Sequence, residues 1–302
     1  MTRDPGVIRL AALGDSVTVG IGDPVRGRGW AGLLAESLAA SGPVEPANLA
    51  VSGARLADVL RDQLPRALEL RPAVATVLIG VNDTLRGDFD PGAFAAGYES
   101  LLSALHGSGA TVLTATLPDP GLMLRLPELL RRPLARRAHA VNAAVEGPAA
   151  RYGTVHVDLA AHPALYDPRM WGLDRLHPSE RGHRHLACLF AAALESRGLA
   201  VDPPDPEPTA PDPSPWASAF WLATAGTAWL ARRCVDFLPG FARLVAEEYR
   251  QTRVDREFAC RVPAGEPRVA PAREEPEHEG RHRGRVVPAA GERGHQLGLP
   301  HP

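Results

Sequence analysis

Short apolar runs alternate along the first two hundred residues with stretches in which apolar positions recur every three or four residues. Val7 to Leu13 is a continuous apolar run flanked by Gly6 and Gly14, the pattern of a strand buried on both faces. Trp30, Leu33, Leu34 and Leu38 then follow at helical spacing. A second strand is expected around Val44 to Ala50, followed by a helix that gathers Leu56, Val59, Leu60 and Leu64 on one face. Ala73 to Ile79 is the clearest strand. Pro91 to His106 reads as a helix, with proline in the first turn, where its missing N–H has no intrahelical partner to lose.

Ala110 to Thr116 predicts the fourth strand, Leu134 to Ala150 a helix, and Thr154 to Leu159 the fifth strand. A last helix, capped by Ser179 and running to Arg197, places Leu186, Leu189, Phe190 and Leu194 inward. Strict alternation of strand and helix predicts a parallel sheet covered by helices on both faces. Pro118 to Pro133 interrupts the pattern with four prolines, and reads as a long loop that either lines a substrate cleft or is a surface excursion.

A different composition begins after residue 200. Residues 202 to 215 are dominated by proline and aspartate and predict an extended linker. Trp216 to Arg233 is apolar and aromatic, and Phe241, Leu244, Val245 and Tyr249 share one side of a further short helix. The expected organisation is a catalytic domain over 1–200, a linker over 201–215, a helical appendage over 216–258 and a disordered tail over 259–302. A helical hairpin is the reading of the apolar segment, which is shorter than a membrane span. Weak membrane-surface contact through 216–233, anchored by Trp216, Trp221 and Trp229, is the alternative.

Hydrophobic residues make up 45% of the 302, enough for one sizeable core. The formal net charge of -2 gives no reason to expect a nucleic-acid partner. All 33 basic residues are arginine, which excludes a serine–lysine pair or a lysine Schiff base. Cys188, Cys234 and Cys260 lack the spacing of a zinc site or a disulfide framework, and Met1 to Gly6 is too short and polar for a signal peptide. A cytoplasmic protein is therefore expected.

The chemistry lies just past the predicted strands. Ser16 follows strand one, Gly53 strand two, Asn82 strand three and His177 strand five. In an open parallel sheet these positions converge on the carboxyl edge, where ligands bind. Ser16 needs a base, and His177 can supply it, because an imidazole titrates near neutrality. Asp174, three residues earlier, can hold the other ring nitrogen. The N–H of Ser16, the N–H of Gly53 and the side-chain amide of Asn82 could bind the oxyanion of a tetrahedral intermediate.

Several other residues read as structural. Asp15 and Asp83 suit loop hydrogen bonding. His183 and His185, two apart on a helix, face different directions and predict no metal site. Gly20 and Gly22 fit no phosphate-loop spacing. Trp171 and Met170 read as packing or substrate-facing, and Arg55 as solvated or facing an anionic substrate.

Gly14-Asp15-Ser16, Asn48-Leu-Ala-Val-Ser-Gly53, Gly80-Val-Asn82-Asp83 and Asp174-Arg-Leu-His177 together resemble the four blocks of a GDSL esterase of the SGNH hydrolase superfamily, over roughly residues 7 to 197. The resemblance implies a three-layer flavodoxin-like domain with a five-stranded parallel sheet. It also implies Ser16 as nucleophile, His177 as base, Asp174 as its orienter, and Gly53 and Asn82 in the oxyanion hole. No cofactor or metal is expected, and the expected substrate is a small-molecule or lipid ester. Acyl transfer to a sugar or lipid hydroxyl, and a silent binding module, are the alternatives. An α/β-hydrolase is excluded, since Gly14-Asp-Ser-Val-Thr does not form its Gly-x-Ser-x-Gly elbow.

Overall fold

Five strands form one parallel sheet in the order β2-β1-β3-β4-β5. They are β1 (Ile8–Gly14), β2 (Val44–Asn48), β3 (Val74–Leu78), β4 (Thr111–Ala115) and β5 (Val155–Val157). The computed structural model describes residues 6–209 and, beyond them, Ala242, Ala246, Tyr249, Arg250 and Arg253, which are helical and exposed. The hairpin and membrane contact expected over 216–233, and the tail over 259–302, lie outside the described residues. Among the described residues no helix is long and apolar enough to cross a membrane.

Helices α2 (Gly29–Leu38) and α9 (Glu180–Glu195) pack together on one face of the sheet. The other face carries α3 (Leu56–Asp58) and α4 (Leu64–Leu70), with α6 (Pro91–Gly107) against α8 (Glu128–Arg151). This is the expected three-layer flavodoxin-like α/β architecture. The central strand β1 is flanked by β2 and β3, so the chain reverses direction across the sheet there. Such a reversal opens a crevice beyond the carboxyl ends of β1 and β3. Leu10, Leu13, Val74, Val77 and Leu113 are buried within the sheet, and Trp30 stacks on Phe190 between α2 and α9 at 4.7 Å.

Two elements differ from the sequence expectation. The helix over Leu56, Val59, Leu60 and Leu64 is not regular, because Val59–Gln63 forms a π-helical turn between α3 and α4. Pro65, in the first turn of α4, has no N–H to donate back to Arg61 and its ring crowds that carbonyl, so the wider turn relieves the conflict. The stretch from Pro118 to Pro133 is not a single loop. Asp119 caps the one-turn helix α7 (Pro120–Met123) by accepting from the N–H groups of Gly121 and Leu122, and α8 already begins at Glu128. Pro133 lies inside α8 rather than before it and is buried there, its nitrogen unable to donate back to Leu129.

Residues 202–209 have no regular structure, as their prolines dictate, but they lie against the domain. Asp202 N–H donates to Ser37 O at 2.9 Å, Arg184 to Asp205 O at 2.9 Å, and Arg181 pairs with Glu207 at 2.9 Å. Thr209 donates through both its N–H and its hydroxyl to Glu180, in the first turn of α9.

Candidate active site

Ser16 opens the one-turn helix α1 (Ser16–Val19) immediately beyond β1. Asp15 caps that turn, its Oδ1 accepting from Val17 N–H at 3.0 Å. The chain then turns through Gly20 and Gly22, both at positive φ, before α2. Gly22 has to be glycine here, because a Cβ at this position would sit 2.0 Å from Pro178 O. Its absence lets the segment after Ser16 lie directly on the segment that carries His177.

His177 Nε2 lies 2.9 Å from Ser16 Oγ, and both residues are about 5–6% exposed. On the other side of the ring, Nδ1 is 2.7 Å from Asp174 Oδ2. The second carboxylate oxygen of Asp174 accepts from the backbone N–H groups of Leu176 and His177, each at 3.0 Å. Burial by itself would raise the Asp174 carboxyl; the bond from the His177 ring and the backbone donors outweigh it and hold the group below its ordinary range. An ionised Asp174 places the proton on Nδ1 and leaves Nε2 free to accept from Ser16. The loop is closed by Gly172 N–H donating to His177 O at 2.7 Å and by a bridge between Trp171 and Pro178.

Asn82 follows β3 in the short helix α5 (Val81–Thr84), beside the same crevice. Its Nδ2 donates to Asp15 Oδ2 at 3.1 Å and to Ala54 O at 3.1 Å. Both amide hydrogens therefore have acceptors, one of them on the residue next to Ser16. Gly53 adopts φ +81, and no atom lies within 4 Å of where its Cβ would be, so it faces open space. Among the described residues the backbone N–H groups of Ser16 and Gly53 have no protein acceptor.

The remaining residues singled out in the sequence are accounted for. Asp83 accepts from Leu56 N–H through both oxygens, and burial pushes its carboxyl up to about 6. Arg55 pairs with Asp88 at 3.0 Å, at the mouth of an open cleft of about 200 Å³ whose walls include Asp83, Leu56, Leu60, Phe89 and Phe94. His183 is fully buried, accepting from Trp30 N–H and donating to Ile21 O, and burial lowers its pKa. Trp171 donates to Leu165 O from its indole nitrogen. Cys188 is a free cysteine, whereas Cys234 and Cys260 lie outside the described residues.

Two relationships had no signal in the sequence. Asp15 holds a side chain as well as loop backbone, since Asn82 is its second partner. Gln63, in the π-helical turn, is 1% exposed and bonds both backbone groups of Gly14, two residues before Ser16.

The profile of the GDSL-like Lipase/Acylhydrolase family matches residues 12–185. No curated protein matches the chain. Among solved structures, Axe2, an acetylxylan esterase from Geobacillus stearothermophilus, is 20% identical, with a TM-score of 0.52 over 62% of this chain and 94% of its own. The lipase/acylhydrolase from Enterococcus faecalis is 21% identical, with a TM-score of 0.51 over 66% of this chain and 99% of its own. The psychrotrophic esterase EstA from Pseudoalteromonas sp. is 15% identical, with a TM-score of 0.51 over 63% and 97%. At these identities the likeness is one of fold. The family match spans more than half of the chain, which therefore belongs to the GDSL-like lipase/acylhydrolase family and is a carboxylic ester hydrolase.

Proposed function

We propose that the chain hydrolyses small-molecule or lipid esters through an acyl-enzyme on Ser16, with His177 as general base and Asp174 as its orienter. The observation that carries this reading is the unbroken series from Ser16 Oγ to His177 Nε2, and from His177 Nδ1 to Asp174, at 2.9 and 2.7 Å. Both distances are those of good hydrogen bonds.

In the first half-reaction His177 Nε2 takes the Ser16 proton as Oγ attacks the ester carbonyl carbon. The resulting oxyanion is bound by the N–H groups of Ser16 and Gly53. Collapse breaks the bond to the alcohol oxygen, which leaves with the proton from Nε2. Water then enters, gives its proton to Nε2 and attacks the acyl carbon, and the proton returns to Ser16 as the acid departs. Asp174 stabilises the imidazolium at each stage without accepting its proton. Asn82 joins the oxyanion hole by sharing or exchanging the bond it makes to Ala54 O, while Asp15 holds the amide in place.

Ser16→Ala tests the reading. Turnover of p-nitrophenyl acetate is expected to fall by on the order of 10⁴ or more, because losing the nucleophile leaves only binding and the oxyanion donors. Labelling of the wild-type protein by a fluorophosphonate probe, and its loss in Ser16→Ala, identifies the nucleophile. Wild-type turnover in Ser16→Ala overturns the assignment.

A further inference from the structure

Strand β1 ends at Gly14, in register with Leu78 of β3. On its other side the chain leaving β2 continues to pair, with Leu49 N–H donating to Ala12 O at 2.9 Å and Val51 N–H donating to Gly14 O at 3.2 Å. Gly14 N–H, however, takes its partner from outside the sheet. Gln63 fills that place. Its Oε1 accepts from Gly14 N–H at 2.9 Å and its Nε2 donates to Gly14 O at 2.9 Å, so one side-chain amide acts as an added rung of the sheet.

The rung is held firmly at both ends. Position 14 takes only glycine, since a Cβ there would run into Leu78 O and Thr18 Oγ1. Gln63 is the last residue of the π-helical turn, and Pro65 follows two residues later in α4. The extra residue of that turn changes which way residue 63 faces, directing a polar side chain into the domain, where it is almost completely buried.

A buried amide is fixed by the hydrogen bonds it makes, and those of Gln63 go to the backbone two residues before Ser16. We propose that Gln63 is a positioning residue for the Ser16 nucleophile: it fixes the end of β1, and thereby the place of Ser16 Oγ relative to His177 Nε2 and the oxyanion donors. This inference rests on Ser16 being the nucleophile.

The fold supplies an internal comparison. Asn142 of α8 makes the same two-bond clasp on Leu117, just beyond β4, at 2.7 and 2.9 Å. No residue of the proposed triad or oxyanion hole follows that strand. Both clasps stabilise the fold, but only the one on Gly14 bears on the nucleophile.

The test compares Gln63→Leu with Asn142→Leu in the full chain. Each is measured for melting temperature, kcat and KM on p-nitrophenyl acetate, and the rate constant of fluorophosphonate labelling. Gln63→Leu is expected to lower kcat and the labelling rate by roughly 10–100-fold with KM within about threefold, since a displacement of about 1 Å can cost 10²-fold. Asn142→Leu is expected to lose melting temperature with kcat within about threefold. Should Gln63→Leu fail to fold, Gln63→Met keeps the unbranched side chain but makes neither bond to Gly14, and the same fall in kcat and labelling rate is expected. A Gln63 variant that melts earlier yet labels and turns over at the wild-type rate overturns the proposal, as does an equal loss of kcat in both clasps. Failure of the Ser16 reading is distinct: it shows as activity retained in Ser16→Ala, whatever Gln63 does.

Discussion

The carboxylate of Asp15 lies between Ser16 and Asn82: one oxygen caps the turn that presents Ser16, and the other accepts from Asn82 Nδ2 at 3.1 Å. The proposed nucleophile and the proposed side-chain oxyanion donor are thus oriented by the same residue. Removing the carboxylate unfastens both at once, leaving the amide its bond to Ala54 O.

Asp15→Ala is accordingly expected to lower kcat by roughly 10–100-fold with little change in KM, while Asn82→Ala costs about 10²–10³ in kcat as the loss of one oxyanion donor. The double variant should lose less than the sum of the two free energies, because both act on one amide. Steady-state kinetics on p-nitrophenyl acetate checks this; full additivity would separate Asp15 from the oxyanion hole.

Asp174→Asn should be more damaging than its size suggests. An amide N–H aimed at His177 Nδ1 favours the tautomer with hydrogen on Nε2, which cannot accept from Ser16. A loss of about 10²–10⁴ in kcat is expected by comparison with other triads. Asp174→Ala should lose no more than this, since it removes the orienter without imposing the wrong tautomer. Kinetics of the two variants side by side decides the order.

Much of this was legible in the sequence, for a definite reason. Periodicity reports which face of an element is buried, so all five strands and the helices around them could be read locally. The three-layer architecture then follows from the family resemblance, and the edge position of Ser16, Gly53, Asn82 and His177 from the alternation of elements. What escaped depends on contacts between distant segments. Nothing near Gln63 signals that its amide meets Gly14, 49 residues away. Gly22 appears as an unexplained turn glycine until Pro178 O is placed against it. Periodicity places the start of the helix before strand five at Leu134, whereas α8 begins at Glu128 and carries Pro133 buried inside it.

Asp83 gives the molecule a pH dependence of stability. Its carboxyl is raised by burial from the ordinary value near 3.8 to about 6 in the folded protein. A group raised on folding contributes stability that is full below its unfolded value and is lost as pH rises through the folded one. Asp83→Asn cannot ionise and keeps an oxygen acceptor for Leu56 N–H. Its stability relative to wild type should therefore grow between pH 4 and pH 6 and then level off, reaching roughly 3 kcal/mol. Urea denaturation of both proteins across this range measures it. Buried His183 acts in the opposite sense and equally in both: its pKa is lowered on folding, so its contribution is present above the unfolded value near 6.5 and is lost as pH falls below it.

Glu180 joins the proline-rich segment to the active-site loops. It lies one turn past His177, and its Oε1 accepts from Arg28 at 3.1 Å, Arg184 at 3.1 Å and Thr209 N–H at 3.0 Å. Arg28 in turn binds Asp23, in the segment that follows Ser16. Side-chain exposure is only 6% for Glu180, 7% for Arg184 and 15% for Arg28, so solvent screens these charges weakly. Glu180→Ala would leave two guanidinium groups inside with one acceptor fewer, at a cost of about 3–5 kcal/mol by analogy with other broken buried pairs. Thr209→Val removes only the hydroxyl bond and should cost about 1 kcal/mol, since the backbone N–H can still donate to Glu180. If equilibrium denaturation shows the two variants equally mild, residues 202–209 rest on the domain without helping to hold the His177 loop. A large loss in Glu180→Ala with a small one in Thr209→Val places the stabilisation in the arginine–glutamate network, with the proline-rich segment as its outer cover.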